Sequence, residues 1–307
     1  MKYLKKFNES LNDIDSICKK YGIENYTING DGSINVDGDV NLNNRGLSKL
    51  PLKFGSVSGD FYCYNNQLTT LEGAPESVGV SFNCNNNQLT SLEDAPKSIG
   101  VDFDCYNNQL TTLEGAPKSV GGDFYCDKNQ LTSLRGAPKS VGGNFNCDNN
   151  QLTSLRDAPE SVVGYFYCNN NQLTTLEGAP RSVGGDFYCN NNQLTSLRGA
   201  PESVDRDFSC NDNQLTTLEG APKLVGGFFY CYKNQLTSLE GAPELVGGNF
   251  ECDNNPVESI WNLFKDYSKV EIFNDYDVIR GNKVILDRLN DFLIHIGKPP
   301  VSKVDGY

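Results

Sequence analysis

The stretch GDFYCNNNQLTSL, from Gly185 to Leu197, decides the fold, because near copies of it recur every 21 residues along most of the chain. Its cysteine returns without a single insertion, at Cys63, Cys84, Cys105, Cys126, Cys147, Cys168, Cys189, Cys210, Cys231 and Cys252. A fixed period in the twenties is typical of a solenoid, in which each repeat buries its apolar side only by stacking on its neighbours. The sequence therefore predicts a stack of similar coils.

Five positions of each repeat stay apolar, and in one repeat they are Phe124, Cys126, Leu131, Leu134 and Val141. Phe and Cys alternate with a variable residue, which is the periodicity of a strand whose Phe and Cys side chains point inward. An Asn three residues after each Cys, such as Asn129, is expected to satisfy backbone groups where the chain leaves the strand. The rest of the repeat carries Gly and Pro, so we expect an irregular return leg.

The pattern Phe-x-Cys-x-x-Asn-x-Leu-x-x-Leu resembles the leucine-rich repeat, whose consensus has leucines at the Phe and Cys positions and the same Asn. The 21-residue unit is most similar to the bacterial type, found in secreted effector proteins of enteric pathogens, and the resemblance covers about eleven coils within residues 40–260. It implies a β-rich solenoid, a horseshoe or rod with a parallel β-sheet on one face. The ubiquitin-ligase domain that some effectors append has no room here.

Three segments are expected along the chain. Residues 1–39 are an N-terminal cap, with an amphipathic helix over 8–21 and a small β-meander over 26–42 that leads into the next segment. Residues 40–260 are the repeat array. Residues 261–307 are a C-terminal cap, in which an amphipathic helix over 282–296 covers the open end of the stack. Caps are expected at both ends because a terminal coil otherwise exposes a sheet edge and an apolar cross-section.

Charge and cysteine usage narrow the class of protein. The net charge of -13 argues against a nucleic-acid partner, which would need Lys and Arg gathered on one face. The polar start Met1–Lys6 predicts neither a secretory signal nor a membrane segment. Ten of the eleven cysteines take the inward position, where we expect free buried thiols, with no disulfide and no metal. These features predict a protein of a reducing cytoplasm.

For catalysis the sequence offers little. The chain has a single histidine, His295, in the predicted terminal helix, and it has no phosphate-binding glycine loop. The run Asn29–Ser33 is tempting as a calcium loop, but Ile34 and Val40 stand where an EF-hand needs Gly and Glu. We therefore predict a protein that is not an enzyme, with no catalytic residue, no cofactor and no metal site.

Binding is a different matter, because the outward residues of the strands line up into columns. Tyrosines give large contact areas at small entropic cost, and carboxylates add directed hydrogen bonds. The alternative is that Tyr and Asn merely suit a pleated surface. Phe228 beside Tyr230 and Tyr232 is the expected hot spot. The predicted partner-binding residues are Tyr62, Asp102, Asp123, Tyr125, Tyr167, Asp186, Tyr188, Phe228, Tyr230 and Tyr232.

Three functional hypotheses follow from these residues. The first is a module that binds a protein partner on its acidic, Tyr-rich and Asn-rich sheet face. The second is glycan binding, since Tyr beside Asp and Asn also holds sugars. The third is a structural or packaged virion protein: the ends 1–10 and 279–301 are similar to those of uncharacterised repeat proteins of tailed bacteriophages. That resemblance implies host cytoplasm or a virion as the location.

Overall fold

The structure is a computed structural model, and it describes residues 13–256, 276, 278–280, 283–295, 297 and 299–301. It has two compact units, residues 1–164 and residues 165–307, and the described 21-residue repeats of each unit stack as a parallel β-solenoid. The predicted solenoid is thus confirmed. We number the coils 1 to 5 in the first unit and 6 to 9 in the second, starting at residues 60, 81, 102, 123, 144, 165, 186, 207 and 228.

The first leg of each coil in the first unit is a two-residue strand, and neighbouring strands pair in parallel with Phe opposite Phe. The buried Phe rings stack at centroid distances between 5.2 and 5.6 Å. Stacked rings of equal size keep the coils in register. These strands are β3 Val40–Asn41, β5 Phe61–Tyr62, β7 Phe82–Asn83, β9 Phe103–Asp104, β11 Phe124–Tyr125 and β13 Phe145–Asn146.

The second unit repeats this arrangement. Its Phe rings stack at 4.9 to 5.5 Å, again between parallel strands in register. Its first-leg strands are β15 Phe166–Tyr167, β17 Phe187–Tyr188, β19 Phe208–Ser209, β21 Phe229–Tyr230 and β23 Phe250–Glu251.

The return leg was expected to be irregular, and it contains a second set of short parallel strands. Because every coil has the same length, each return-leg residue faces its equivalent one coil away, so even two extended residues can pair. A pattern read within one repeat cannot show this. The return strands are β6 Ser77–Val78, β8 Ser98–Ile99, β10 Ser119–Val120, β12 Ser140–Val141 and β14 Ser161–Val162 in the first unit, and β16 Ser182–Val183, β18 Ser203–Val204, β20 Leu224–Val225 and β22 Leu245–Val246 in the second.

The core of each coil is made by the five positions that the sequence marked as apolar. Phe124, Cys126, Leu131 and Leu134 are fully buried, and Val141 nearly so. The Asn after each strand behaves as predicted: Asn129 donates to the carbonyl oxygens of Cys105 and Cys126, both at 3.1 Å. Its own side-chain oxygen accepts the backbone N–H of Leu110 at 3.0 Å.

Among the described residues, the cysteines of the coils are buried thiols outside any disulfide, as expected from their inward position, except that Cys252 is half-buried. Burial raises the pKa of the thiols of Cys63, Cys84 and Cys105. Thiols held in their neutral form in the core are poor nucleophiles and poor metal ligands.

The chain before coil 1 differs from the predicted cap in one respect. Residues 13–21 form helix α1, and strands β1 Tyr26–Ile28 and β2 Ile34–Val36 pair in antiparallel fashion. The third run of the expected meander does not join them, because its strand β3 pairs in parallel with β5, as a solenoid coil does. Strand β2 instead pairs with β4 Phe54–Val57 of the return leg. Residues 8–12 of the predicted helix lie outside the described residues.

The C-terminal segment also departs from its prediction. Residues 283–284, predicted to be helical, form strand β25 Lys283–Val284, which pairs with β24 Ile279–Arg280. Helix α2 then runs over Leu286–His295 and buries Leu289, Phe292 and Leu293. Trp261, Asn282 and Ile296 lie outside the described residues, and the boundaries at 39/40 and 260/261 stay a prediction.

Candidate partner-binding face

The strand face is the outward surface of the first-leg strands. In each coil it consists of the residue before the buried Phe, the residue between Phe and Cys, and the residue after Cys. All ten predicted binding residues lie on it, four in the first unit and six in the second. Each unit carries its own strand face, and the two differ in chemistry.

The residue before Phe, most often Asp, helps to hold neighbouring coils together. Its carboxylate accepts the backbone N–H of the equivalent residue in the next coil: Asp102 accepts from Asp123 at 2.8 Å, and Asp186 accepts from Asp207 at 3.1 Å. The preceding Gly pair makes room for this contact, since a Cβ on Gly143 would lie 2.1 Å from Oδ1 of Asp123. Three predicted binding residues, Asp102, Asp123 and Asp186, therefore commit one oxygen each to the fold.

In the first unit the predicted residues form hydrogen-bonded pairs. The hydroxyl of Tyr125 donates to Oδ2 of Asp123 at 2.6 Å, while Oδ1 accepts the N–H of Asn144 at 2.7 Å. Burial, and then this bond, raise the pKa of Tyr125 to about 12. A hydrogen bond to Asp60 raises the pKa of Tyr62 to about 12 as well. Both oxygens of Asp123 are thus occupied before any partner arrives.

Asp104, in the middle of the first unit's face, is less well satisfied. Its Oδ2 accepts from the amide of Asn83 at 2.8 Å. Its Oδ1 is buried and, among the described residues, is the only buried side-chain oxygen or nitrogen that lacks a hydrogen-bond partner. Burial, followed by the charges of Asp102, Asp123 and Asp127, raises the pKa of Asp104 to about 7. This face therefore concentrates carboxylates that repel one another.

The second unit's face is aromatic. The rings of Tyr165 and Tyr167 lie 5.7 Å apart, and those of Tyr167 and Tyr188 stack at 5.1 Å. The guanidinium of Arg206 lies 5.8 Å from the Tyr165 ring, and one of its nitrogens donates to the Tyr165 hydroxyl at 3.1 Å. Arg206 stands where most coils have the second Gly of the pair.

A notch interrupts this aromatic surface at coil 8. Strand pairing places the small residue Ser209 between Tyr188 and Tyr230, so the backbone positions of the two tyrosines lie about 10 Å apart, two strand spacings. The floor is Ser209 and Asn211, each only 4% exposed because neighbouring side chains cover them, and the side-chain amide of Asn211 donates to the Ser209 hydroxyl at 2.9 Å.

Carboxylates lie beside the notch. The charges of Asp186 and Asp207, after burial, raise the pKa of both Tyr188 and Tyr230. Oδ1 of Asp207 accepts the N–H of Phe228 at 2.8 Å. Two aromatic walls with carboxylates at their base suit an organic cation, which is attracted by ring faces and by negative charge together.

Beyond the notch lie the residues expected to be the hot spot. Phe228 is 38% exposed and its ring is 5.7 Å from that of Tyr230. The Tyr232 ring lies beneath the ammonium of Lys233 at 5.7 Å, and this Lys also pairs with Asp212 at 3.3 Å. Phe228 therefore stays the more accessible apolar side chain of the three.

The sequence placed Asp104, Asp207 and Ser209 among the outward residues of the strands, but neither they nor Arg206 were predicted to take part in binding. The signal for Ser209 was present, because it is a small residue between two tyrosines of one column. The buried oxygen of Asp104 could not be foreseen, since it depends on how neighbouring side chains cover it. Among the described residues, no three His, Cys, Asp or Glu side chains are grouped to hold a metal ion. In the same residues, no helix has the length and apolar character to cross a membrane.

Comparisons with known proteins agree with the fold. No protein-family model and no curated protein sequence matches the chain. It is similar to the solved structure of YopM, a leucine-rich effector protein from Yersinia pestis, with 25% identity and a TM-score of 0.51 over 72% of this chain and 67% of that one. YopM from Yersinia enterocolitica WA-314 also matches, with 20% identity and a TM-score of 0.39 over 72% of this chain and 61% of that one. The resemblance to bacterial leucine-rich proteins is thus confirmed, whereas the bacteriophage likeness stays a prediction.

Proposed function

We propose that this protein is a non-catalytic interaction module that binds a protein partner through the strand face of its second unit. The observation that carries the proposal is the notch between Tyr188 and Tyr230. The backbone positions of the two tyrosines lie about 10 Å apart, two strand spacings, so we infer that a cation held over Ser209 would contact both rings. The occupant would be a Lys or Arg side chain of the partner.

The surroundings of the notch favour a basic segment rather than a single residue. The chain has a net charge of -13, and Asp186 and Asp205 in coil 7 and Asp207 in coil 8 lie in or next to the coil that carries the notch. A net negative surface accelerates the approach of a basic partner, and the notch then fixes which side chain enters. Phe228 and the Tyr167–Tyr188 stack supply apolar area on both sides.

The test both fills the notch and removes its walls, in separate variants. Ser209→Tyr places at this position the residue that neighbouring coils already carry, so the fold should tolerate it, while the two-ring gap disappears. Tyr188→Ala and Tyr230→Ala remove one wall each. Tyr62→Ala in the first unit is the matched control, since it removes a ring from the other strand face.

The probe is a library of displayed peptides selected on the full chain, followed by measurement of the affinity of the enriched peptides. We expect enrichment of peptides that contain Lys or Arg, and a loss of affinity of about tenfold for each of the three notch variants but not for the control. Enriched peptides without basic residues, or equal binding by Ser209→Tyr, would contradict the proposal.

Glycan binding is the second candidate, because a tyrosine wall beside a carboxylate also suits a sugar ring and its hydroxyls. Ionic strength distinguishes the two candidates, because high salt weakens the binding of a cation in the notch and leaves the binding of a neutral sugar unchanged. A glycan array that shows binding by the wild type and none by Ser209→Tyr would favour this candidate over a protein partner.

A further inference from the structure

Two exposed positions of the repeat never change, and neither belongs to the strand face. Gln stands four residues after the Cys and Thr six residues after it in coils 1 to 9, whereas the strand face varies from coil to coil. In the first unit these residues form what we call the Gln/Thr strip, made by Gln67, Gln88, Gln109, Gln130, Gln151, Thr69, Thr90, Thr111, Thr132 and Thr153, all exposed.

The strip is a regular ladder. The backbone N–H of Gln88 donates to the carbonyl of Leu68, and that of Gln109 to the carbonyl of Leu89, both at 2.9 Å, so successive coils lie about 4.8 Å apart. The Leu between each Gln and Thr is fully buried, which directs the two flanking side chains away from the core. Within residues 13–164 no hydrogen bond ties down their amide and hydroxyl groups.

Neither the core nor a bond within the chain accounts for this constancy. The ten amide and hydroxyl groups that make no hydrogen bond within the chain recur at a single spacing. They therefore suit a partner whose hydrogen-bond donors and acceptors recur at the same spacing. A second copy of this chain does so, because amides and hydroxyls both donate and accept. The strip is also uncharged, which matters where two chains of net charge -13 must meet.

A column of charged residues borders the strip, and the order of its charges fixes the direction in which a second copy can dock. We propose that the strip docks on the strip of a second copy in antiparallel orientation, about a two-fold axis that passes through coil 3. The border column then places Glu72 opposite the second copy's Arg156 and Glu93 opposite its Arg135, and Glu114 meets itself on the axis. In a parallel arrangement the two border columns would lie on opposite sides of the interface, and these ion pairs would not form. The border residues in chain order are Glu72, Glu93, Glu114, Arg135 and Arg156, all exposed.

The dimer is expected to be weak. Five coils at about 4.8 Å give a strip about 20 Å long, so the buried area lies at the low end for specific interfaces. Glu114 on the axis is partly neutralised by Arg135 of its own chain, whose guanidinium lies 2.9 Å away. We expect a dissociation constant of about 100 µM.

Sedimentation velocity of the full chain from about 5 µM to about 1 mM measures this association. Gln109→Arg sets two cations against each other on the axis and should leave the chain monomeric throughout. Gln214→Arg is its matched control, with the same column position and the same charge change in coil 8, and should dimerise like the wild type.

A charge reversal tests the antiparallel register. Glu93→Arg places like charges opposite one another twice in the dimer and should weaken association about tenfold. Adding Arg135→Glu restores opposite charges and should bring the association back. Unfolding curves confirm that each variant is folded.

Four results would overturn the proposal: a wild type that stays monomeric to about 1 mM, equal effects of Gln109→Arg and Gln214→Arg, a Glu93→Arg variant that associates like the wild type, or a double variant no tighter than Glu93→Arg. These outcomes are independent of the notch, because peptide binding at Tyr188 and Tyr230 is measured at concentrations where the chain is monomeric.

Discussion

The strand faces of the two units share a backbone pattern and differ in what they display. Asp104 and Asp123 in the first unit belong to a group of crowded carboxylates, one of which is forced toward its neutral form. Tyr167 and Tyr188 in the second unit stack on each other, and carboxylates lie around them. The same buried Phe ladder and Asn ladder lie behind both faces. The comparison teaches that the stacking positions fix the architecture, which leaves the outward columns free to change chemistry from one coil to the next.

The largest expected effect is the loss of stability when an Asn of the buried ladder is removed. It tests whether the two units depend equally on this ladder. Asn129→Ala in the first unit and Asn213→Ala in the second each remove a buried side chain that bonds two carbonyl oxygens and one N–H at 3.0 to 3.1 Å. Each should lower the free energy of unfolding by about 3 kcal/mol, measured by urea titration. The exposed neighbour Gln130→Ala is the control, with an expected change below about 0.5 kcal/mol.

Unequal losses for the two Asn variants would break the comparison, because one unit would then depend on its ladder more than the other. Since stacked coils can unfold in parts, both circular dichroism and the fluorescence of tyrosine should be followed. Coincident transitions justify a single free energy for each variant.

An effect of intermediate size is expected from Asp104, and it tests the difference in charge between the two strand faces. Asp104 has a raised pKa in the folded state, about 7, so the folded chain holds this proton more tightly than the unfolded chain does. The stability that protonation confers is complete below the unfolded pKa of about 4 and is lost as the pH rises through 7. Asp104→Asn should therefore stabilise the protein by about 1 to 3 kcal/mol at pH 8 and have little effect at pH 4.

The control for this prediction is Glu76→Gln, which neutralises an exposed carboxylate of the same unit. Unfolding midpoints of both variants and of the wild type, measured from pH 4 to pH 8, give the comparison. If Asp104→Asn has the same effect at every pH, the carboxylate is not strained by its surroundings and the contrast between the two faces loses its electrostatic part.

Much of the scaffold could be predicted from the sequence, because a 21-residue period turns a local pattern into a three-dimensional one. The inward Phe and Cys, the Asn ladder and the free thiols all followed from positions that never change. The return strands did not, since their pairing lies between coils and is invisible within one coil. The pairing of Ile279–Arg280 with Lys283–Val284 was missed because Val284 and Ile285 fit a helical pattern equally well.

The binding faces were only partly predictable. Columns of outward residues could be written down from the period, and Tyr188 and Tyr230 were chosen from them correctly as members of the strand face. The spacing between these two tyrosines depends on Ser209, because it is the small residue between them. A ranking of binding residues by residue type would not select a serine. Asp102, Asp123 and Asp186 were chosen for binding, yet each also holds the next coil in place, a role that only the hydrogen-bond geometry reveals.

The smallest expected effect concerns exposed ion pairs that occur at the same repeat position in both units. Arg135 pairs with Glu114 at 2.9 Å, and Arg198 pairs with Glu219 at 2.7 Å. All four side chains are well exposed, so solvent screens each pair and neither unit should depend on it. Arg135→Ala and Arg198→Ala should each change the free energy of unfolding by less than about 0.5 kcal/mol in urea titrations of dilute protein, and added salt should remove the difference. A loss above about 1 kcal/mol in one unit alone would show that its outer surface, and not only its buried ladders, helps to hold the coils together.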